Sequence, residues 1–202
     1  ALKLTEIPKH LIVIGGGVCG TQKFIDDLRN VNDGACMLLG STMDSFRAAS
    51  ILKNLRTLHI RMQQHSKNGL FLAEKFEADG LKTVYPGLQS HPSHKLFKSM
   101  MNPQYGFGGM LTIDVGTSHK ANELMELMQK KNLGYLAVSL GFYKTLFSAP
   151  GSSTSSEIPE DEQKEMGLSD GLIRFSIGLD ADIERTYQTM KECKVELKRL
   201  KV

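Results

Sequence analysis

Cysteine is scarce in this chain of 202 residues: Cys19, Cys36 and Cys193 are an odd number with no C-x-x-C spacing. Neither a disulfide framework nor a zinc site is implied, so a reducing compartment and a cytoplasmic location are expected. Long apolar runs are missing as well. No stretch approaches the ~20 residues needed to span a bilayer, and the first residues lack signal-peptide architecture, so no membrane partner is expected. The chain opens on Ala1 rather than methionine, as a processed chain or a fragment would. An excess of one charge sign is also lacking: 25 basic against 22 acidic residues leave a net charge of +3. The basic residues are scattered rather than massed, which argues against a nucleic-acid partner, because phosphate backbones are met by a concentrated patch. The one local excess, Lys191, Lys194, Lys198, Arg199 and Lys201, is interleaved with Glu192 and Glu196 and reads as a solvated helix face.

What is present is ordinary globular material, 41% apolar and 23% charged, enough for one complete domain and something extra. The most conspicuous motif is IVIGGGVCG at 12–20, which satisfies G-x-G-x-x-G at Gly15, Gly17 and Gly20. Such glycines can turn a strand tightly into a helix and leave a pyrophosphate on the helix N-terminus. A dinucleotide site also needs an acid about 20 residues on, at the end of a second strand. The candidate second strand, ACMLLG at 35–40, ends at Gly40-Ser41, with Asp44 beyond it on an expected helix. A dinucleotide-binding protein is therefore the minor alternative, behind a strand whose glycines permit close packing.

Residues 11–19 read as a buried strand and 21–29 as a short helix. From Ser41, Phe46, Ala49, Leu52, Leu55, Leu58 and Met62 recur every three or four residues, and Leu70, Ala73 and Phe76 continue beyond Gly69. One long helix with a bend is expected, ending at Gly80, with Ser41 and Asp44 as a capping pair. Beyond it, strands alternate with helices: a strand at 81–85, a turn at Pro86-Gly87, a helix in HPSHKLFKSMM, and a half-buried strand in GGMLTIDV at 108–115. A helix at 118–130, strands at 135–141 and 172–179, a polar loop at 151–157 and a last helix at 182–200 complete an α/β pattern.

The segments LHIRMQQHSKNGLFLAEKF, VYPGLQSHPSHKLFKSMM, GFGGMLTIDV, LAVSLGFYKTLFSAPGSSTSSE and GLSDGLIRFSIGLD, in this order, closely resemble the C-terminal half of the Cys/Met-metabolism family of pyridoxal-phosphate (PLP) enzymes. Within the family the resemblance is strongest to the methionine gamma-lyase branch, then to the cystathionine gamma-lyase and gamma-synthase branches. It covers residues 10–200. It implies the C-terminal domain of the fold-type I PLP-dependent transferase fold, a mixed and largely antiparallel sheet with helices on one side. Residues 1–41 would be a remnant of the large PLP-binding domain, 42–80 a long linking helix, and 81–202 the C-terminal α/β domain. It implies a carbon–sulfur lyase of the transsulfuration type, with α,γ-elimination on a sulfur amino acid, and a homo-oligomer or association with full-length subunits.

The resemblance also carries site residues. Arg174, between Ile173 and Phe175, matches the family's substrate-carboxylate arginine, a role that a bidentate guanidinium performs better than an ammonium. Ser139 in AVSLG matches a residue that orients the same carboxylate and the cofactor lysine. Thr154 matches a threonine near the substrate, although Ser155 stands where most relatives have histidine. Aligning His10 and VIGG with the family's lysine motif places Thr5 at the Schiff-base position, and Glu6, Pro8, Lys9 and Ile12 depart from that motif. Lys3 and Lys9 are off the required spacing. The family's ring-facing acid, phosphate-binding residues and stacking tyrosine correspond to positions before this chain begins. Threonine cannot form an imine, so this chain is expected neither to bind PLP nor to perform elimination alone. The runner-up is a non-catalytic module that binds an amino-acid carboxylate or pairs with full-length subunits. His91 and His94 flank Pro92 in an expected surface loop without a third ligand, so no metal is expected. The ten methionines read as core filler.

Overall fold

The computed structural model describes residues 15–152, 158–165 and 167–199. The chain divides into two compact units, 1–58 and 59–202, so the boundary falls inside the stretch expected to form one helix.

In the first unit, α1 (Gln22–Leu28) starts where the Thr21 hydroxyl accepts the Phe24 N–H at 3.3 Å. Residues 15–19, expected to close a buried strand, form no strand, and Gly16 and Gly17 are exposed; 11–14 lie outside the described residues. A strand persists only with a partner for its ladder, and 15–58 contain no other strand. ACMLLG is not a strand either: Ala35–Leu39 forms α2, since Ala, Met and Leu are strong helix formers and none of the five is β-branched. The third helix, α3 (Ser45–Leu55), is capped by Asp44 itself and not by a Ser41 pair. Its carboxylate accepts the N–H groups of Phe46 and Arg47 at 3.1 and 3.0 Å and the Arg47 guanidinium at 2.8 Å. Those donors, the Arg47 N–H foremost, lower the Asp44 pKa.

The expected long helix is two. α3 stops at Leu55 and α4 (Leu58–Ala78) begins after Arg56 and Thr57. The Thr57 hydroxyl donates back to the Asn54 carbonyl, a local bond that competes with helical continuation. Within α4 the helix runs uninterrupted through Gly69. A Cβ there would meet the Gly108 carbonyl oxygen at 2.9 Å, so glycine admits the 106–109 backbone against the helix.

The second unit continues with β1 (Lys82–Val84), α5 (His94–Met100), β2 (Met110–Asp114), α6 (Ser118–Lys130), β3 (Gly134–Leu136) and β4 (Thr145–Ser148). A 3₁₀ turn at Pro150–Ser152, α7 (Glu160–Glu165), β5 (Leu172–Ser176) and α8 (Ile183–Arg199) follow. The five strands form one sheet in the order β1-β2-β5-β4-β3, antiparallel except for the β3–β4 pair. The strand expected over 135–141 ends at Leu136; the Ala137 N–H still reaches the Phe147 carbonyl, and by Gly141, at φ 68°, the backbone N–H goes to a side chain. The fully buried β4 was not anticipated; at four residues it has no alternation to read.

Strand alternation sorts the sheet into two unlike faces. Leu111, Ile113, Phe147, Ile173 and Phe175 point to one, and pack with Leu72 and Phe76 of α4, Leu124 and Met128 of α6, and Tyr187 and Met190 of α8. Each of these side chains contributes roughly 1.5–3 kcal/mol on full burial. The helices of the core thus lie on one side. On the other face are Thr112, Ser148, Arg174 and Ser176, by the same register.

The end of β5 is tied to α4. Asn68 donates to the Gly178 and Asp180 carbonyls at 3.0 and 2.9 Å. The buried His65 places Nδ1 2.6 Å from the Ile177 carbonyl, and since that oxygen can only accept, Nδ1 carries the proton. Burial is the first cause that pulls the His65 pKa below its ordinary value, so the ring is held neutral.

Candidate carboxylate site on the polar face of the sheet

Arg174 is the third of the five β5 residues, flanked in register by Thr112 on β2 and Ser148 on β4. Strong pairing on both sides holds its backbone. Its side chain is half-buried, and desolvation lowers its pKa from the ordinary guanidinium range, although a guanidinium remains charged at any working pH. Among the described residues nothing forms a hydrogen bond or ion pair with it. A partly desolvated cation without a protein partner favours an anion from outside. Beside it, the buried Ser148 Oγ has no hydrogen-bond partner among the described residues.

Ser139 is half-buried in the loop 137–141, which is anchored at both ends. The Ala137 N–H donates to the Phe147 carbonyl at 3.1 Å, and the Gly141 N–H donates to Ser176 Oγ at 3.0 Å. Ser176 is two residues beyond Arg174 and so shares its face. The structure therefore hangs the Ser139 loop from the face that carries Arg174. Thr154, Ser155 and Thr5 lie outside the described residues. Sequence reasoning overlooked Ser148 and Ser176; the alternation of LIRFS, once Arg174 is singled out, is the signal that finds Ser176.

Other singled-out residues have local duties. His94 Nδ1 donates to the Pro86 carbonyl at 2.9 Å, and its ring stacks on Phe107 at 5.1 Å. His91 Nδ1 accepts the Ser93 N–H. Cys193 is buried, whereas Cys19 and Cys36 are exposed and free. Met125 and Met128 belong to the core, but Met37 and Met100 are exposed. On α8, Glu192 and Glu196 face Lys131 at 3.5 and 3.2 Å, so part of that helix face is paired rather than simply solvated. No described helix is long and apolar enough to cross a membrane.

This sheet with its one-sided helices is the C-terminal α/β architecture of fold-type I PLP-dependent enzymes. Superposition gives a TM-score of 0.71 at 28% identity with cystathionine gamma synthase from Xanthomonas oryzae pv. oryzae in complex with aminoacrylate and cysteine, covering 81% of this chain and 41% of that one. Cystathionine gamma-lyase from yeast gives 0.70 at 28% identity, covering 78% and 41%. In sequence, the methionine gamma-lyase of Arabidopsis thaliana is 42% identical over 176 residues, 87% of this chain and 40% of the relative. The pattern of the Cys/Met metabolism PLP-dependent enzymes matches residues 7–188, and the chain belongs to that family. It spans 29–45% of the length of the curated relatives it matches.

The family depends on PLP, whose tethering calls for a lysine amine, an acid for the ring nitrogen and a phosphate cradle. The described residues of β4, β5 and the 137–141 loop include no lysine and no carboxylate. A guanidinium and serine hydroxyls are a donor set for a carboxylate, and they do not fit the cofactor.

Proposed function

We propose that the Arg174 face holds the α-carboxylate of a sulfur amino acid in a methionine gamma-lyase-like carbon–sulfur lyase, and that this chain alone does not complete the elimination. The half-buried guanidinium on a central strand, without a partner among the described residues, carries this reading. The kinship with methionine gamma-lyase supports the choice of substrate. In this reading Arg174 fixes the carboxylate by two parallel N–H bonds, Ser139 closes on it from the tethered loop, and Thr154, outside the described residues, is a further substrate-binding residue by its match to the family. Residues 1–41 are assigned to the large PLP-binding domain, 42–80 to the link and 81–202 to the C-terminal domain.

The test is titration of the chain with L-methionine, read at the arginine Nε–H resonances, beside methioninol, which lacks the carboxylate. L-Methionine is expected to move the Arg174 signal and methioninol to leave it. Arg174→Lys should weaken binding by about 2 kcal/mol, roughly 30-fold, since a point charge replaces a fork. Indifference of Arg174 to L-methionine would overturn the reading. Methanethiol release by the chain with added PLP, above the free-cofactor background, would overturn the inactivity of the chain by itself.

A second reading is supported by the exposed apolar side chains of the first unit, among them Leu38, Leu39 and Phe46. Such a surface suits a non-catalytic module that pairs with itself or with full-length subunits of the same family. Sedimentation alone and with a full-length family member distinguishes these states.

A further inference from the structure

β4 and β5 run antiparallel, and their register sets Ser148 directly across from Arg174, with both side chains on the same face of the sheet. Side chains paired in this way have Cβ atoms roughly 4.5–5.5 Å apart, a separation that an arginine side chain can bridge. Ser148 is 5% exposed, and its Oγ has no hydrogen-bond partner among the described residues. Leu146 and Leu172 share this face by alternation and are also buried, which keeps the surroundings of that oxygen apolar. A buried hydroxyl without a partner costs stability, and an alanine of nearly the same shape would avoid the cost. The other hydroxyls on the face differ. Ser176 Oγ already accepts the Gly141 N–H at 3.0 Å, and Thr112, across from Arg174 on β2, is only half-buried.

We infer that Ser148 is a positioning residue for Arg174: its Oγ accepts one guanidinium N–H when an amino-acid carboxylate occupies the fork, and so fixes the plane in which the fork presents its other donors. The inference rests on the carboxylate-binding reading of Arg174 given above. A guanidinium carries five N–H donors and no acceptor, and a bidentate carboxylate takes two of them. As the carboxylate closes on the fork it displaces water from the remaining donors, which then need acceptors of their own. Ser148 Oγ is a buried acceptor directly opposite, with no hydrogen bond to any described residue. The ligand touches Arg174, and Ser148 acts through it. Without ligand neither side chain has a partner among the described residues, so the cost of the buried hydroxyl is offset only in the complex.

The experiment measures L-methionine binding and urea unfolding of the 202-residue chain, with the Arg174 Nε–H and Nη–H signals read in the saturated complex. Ser148→Ala is expected to weaken L-methionine binding roughly tenfold, as loss of a hydrogen bond to a charged group does, while its urea midpoint stays or rises. Rotation about the Arg174 Cζ–Nε bond should be slow in the unaltered complex and faster in Ser148→Ala, a change that a merely structural serine would not cause. Ser148→Thr, which keeps the hydroxyl, should retain the affinity; if its extra methyl group prevents folding, the alanine variant still decides. Unchanged affinity in Ser148→Ala, unchanged Arg174 rotation, or a lowered urea midpoint would each overturn the proposal. If L-methionine leaves the Arg174 signals of the unaltered chain unmoved, the carboxylate reading falls and this inference with it. If Arg174 responds to L-methionine but is indifferent to Ser148→Ala, the inference falls alone.

Discussion

At the residue scale, the proposed carboxylate site depends, besides Arg174, on side chains with no charge of their own. Ser176 accepts the Gly141 N–H and so holds the Ser139 loop over the strand that bears Arg174. Ser176→Ala leaves that N–H without its acceptor, at a cost of about 1–3 kcal/mol. Amide exchange at Gly141 should accelerate and Arg174-dependent affinity for L-methionine should fall, with the fold retained by circular dichroism. His65 makes a second prediction. Its folded pKa is below its unfolded value, so its contribution to stability is present above the unfolded pKa near 6.5 and is lost as pH falls through the folded value. Urea midpoints at pH 7.5 and 5.5 should differ less in His65→Asn than in the unaltered chain. Arg174 was singled out as a candidate because a whole motif surrounds it; Ser148 was not, because its place comes from a cross-strand neighbour 26 positions away in sequence.

At the scale of elements, the sequence was clearest where one face of an element meets the core. The alternation in β2 and the stripe of Ala121, Leu124, Met125 and Met128 on α6 were readable because half of each element is solvated. The fully buried β4 gave no period, and α2 was misread because a short apolar run suits a helix or a strand until its partners are known. Gly69 shows the same dependence. Gly69→Ala should raise intrinsic helix propensity by about 1 kcal/mol, yet its Cβ would strike the Gly108 carbonyl oxygen at 2.9 Å. The clash is expected to prevail at about 1–3 kcal/mol, lowering the thermal midpoint by several degrees in calorimetry. A rise in the midpoint would mean that the 106–109 backbone yields easily.

At the scale of the molecule, the two units differ in kind. Residues 59–202 have the layered core, whereas in 15–58 large apolar side chains such as Phe46, 87% exposed, face outward. Phe46→Lys should therefore leave the cooperative thermal transition in place and reduce self-association in sedimentation experiments, because it removes exposed apolar surface without opening the core. The sequence by itself determined the α/β class and the family, and singled out Arg174 as a candidate, since periodicity and ordered motifs are properties of the chain read along its length. Only the tertiary structure decided that the glycine-rich opening forms no strand in the described residues. It alone split the long helix, set Ser148 beside Arg174, and tied Ser139 to the same face through Ser176. The last two rest on contacts between residues far apart in the chain, and such contacts exist only once the strands have paired and the helices have packed.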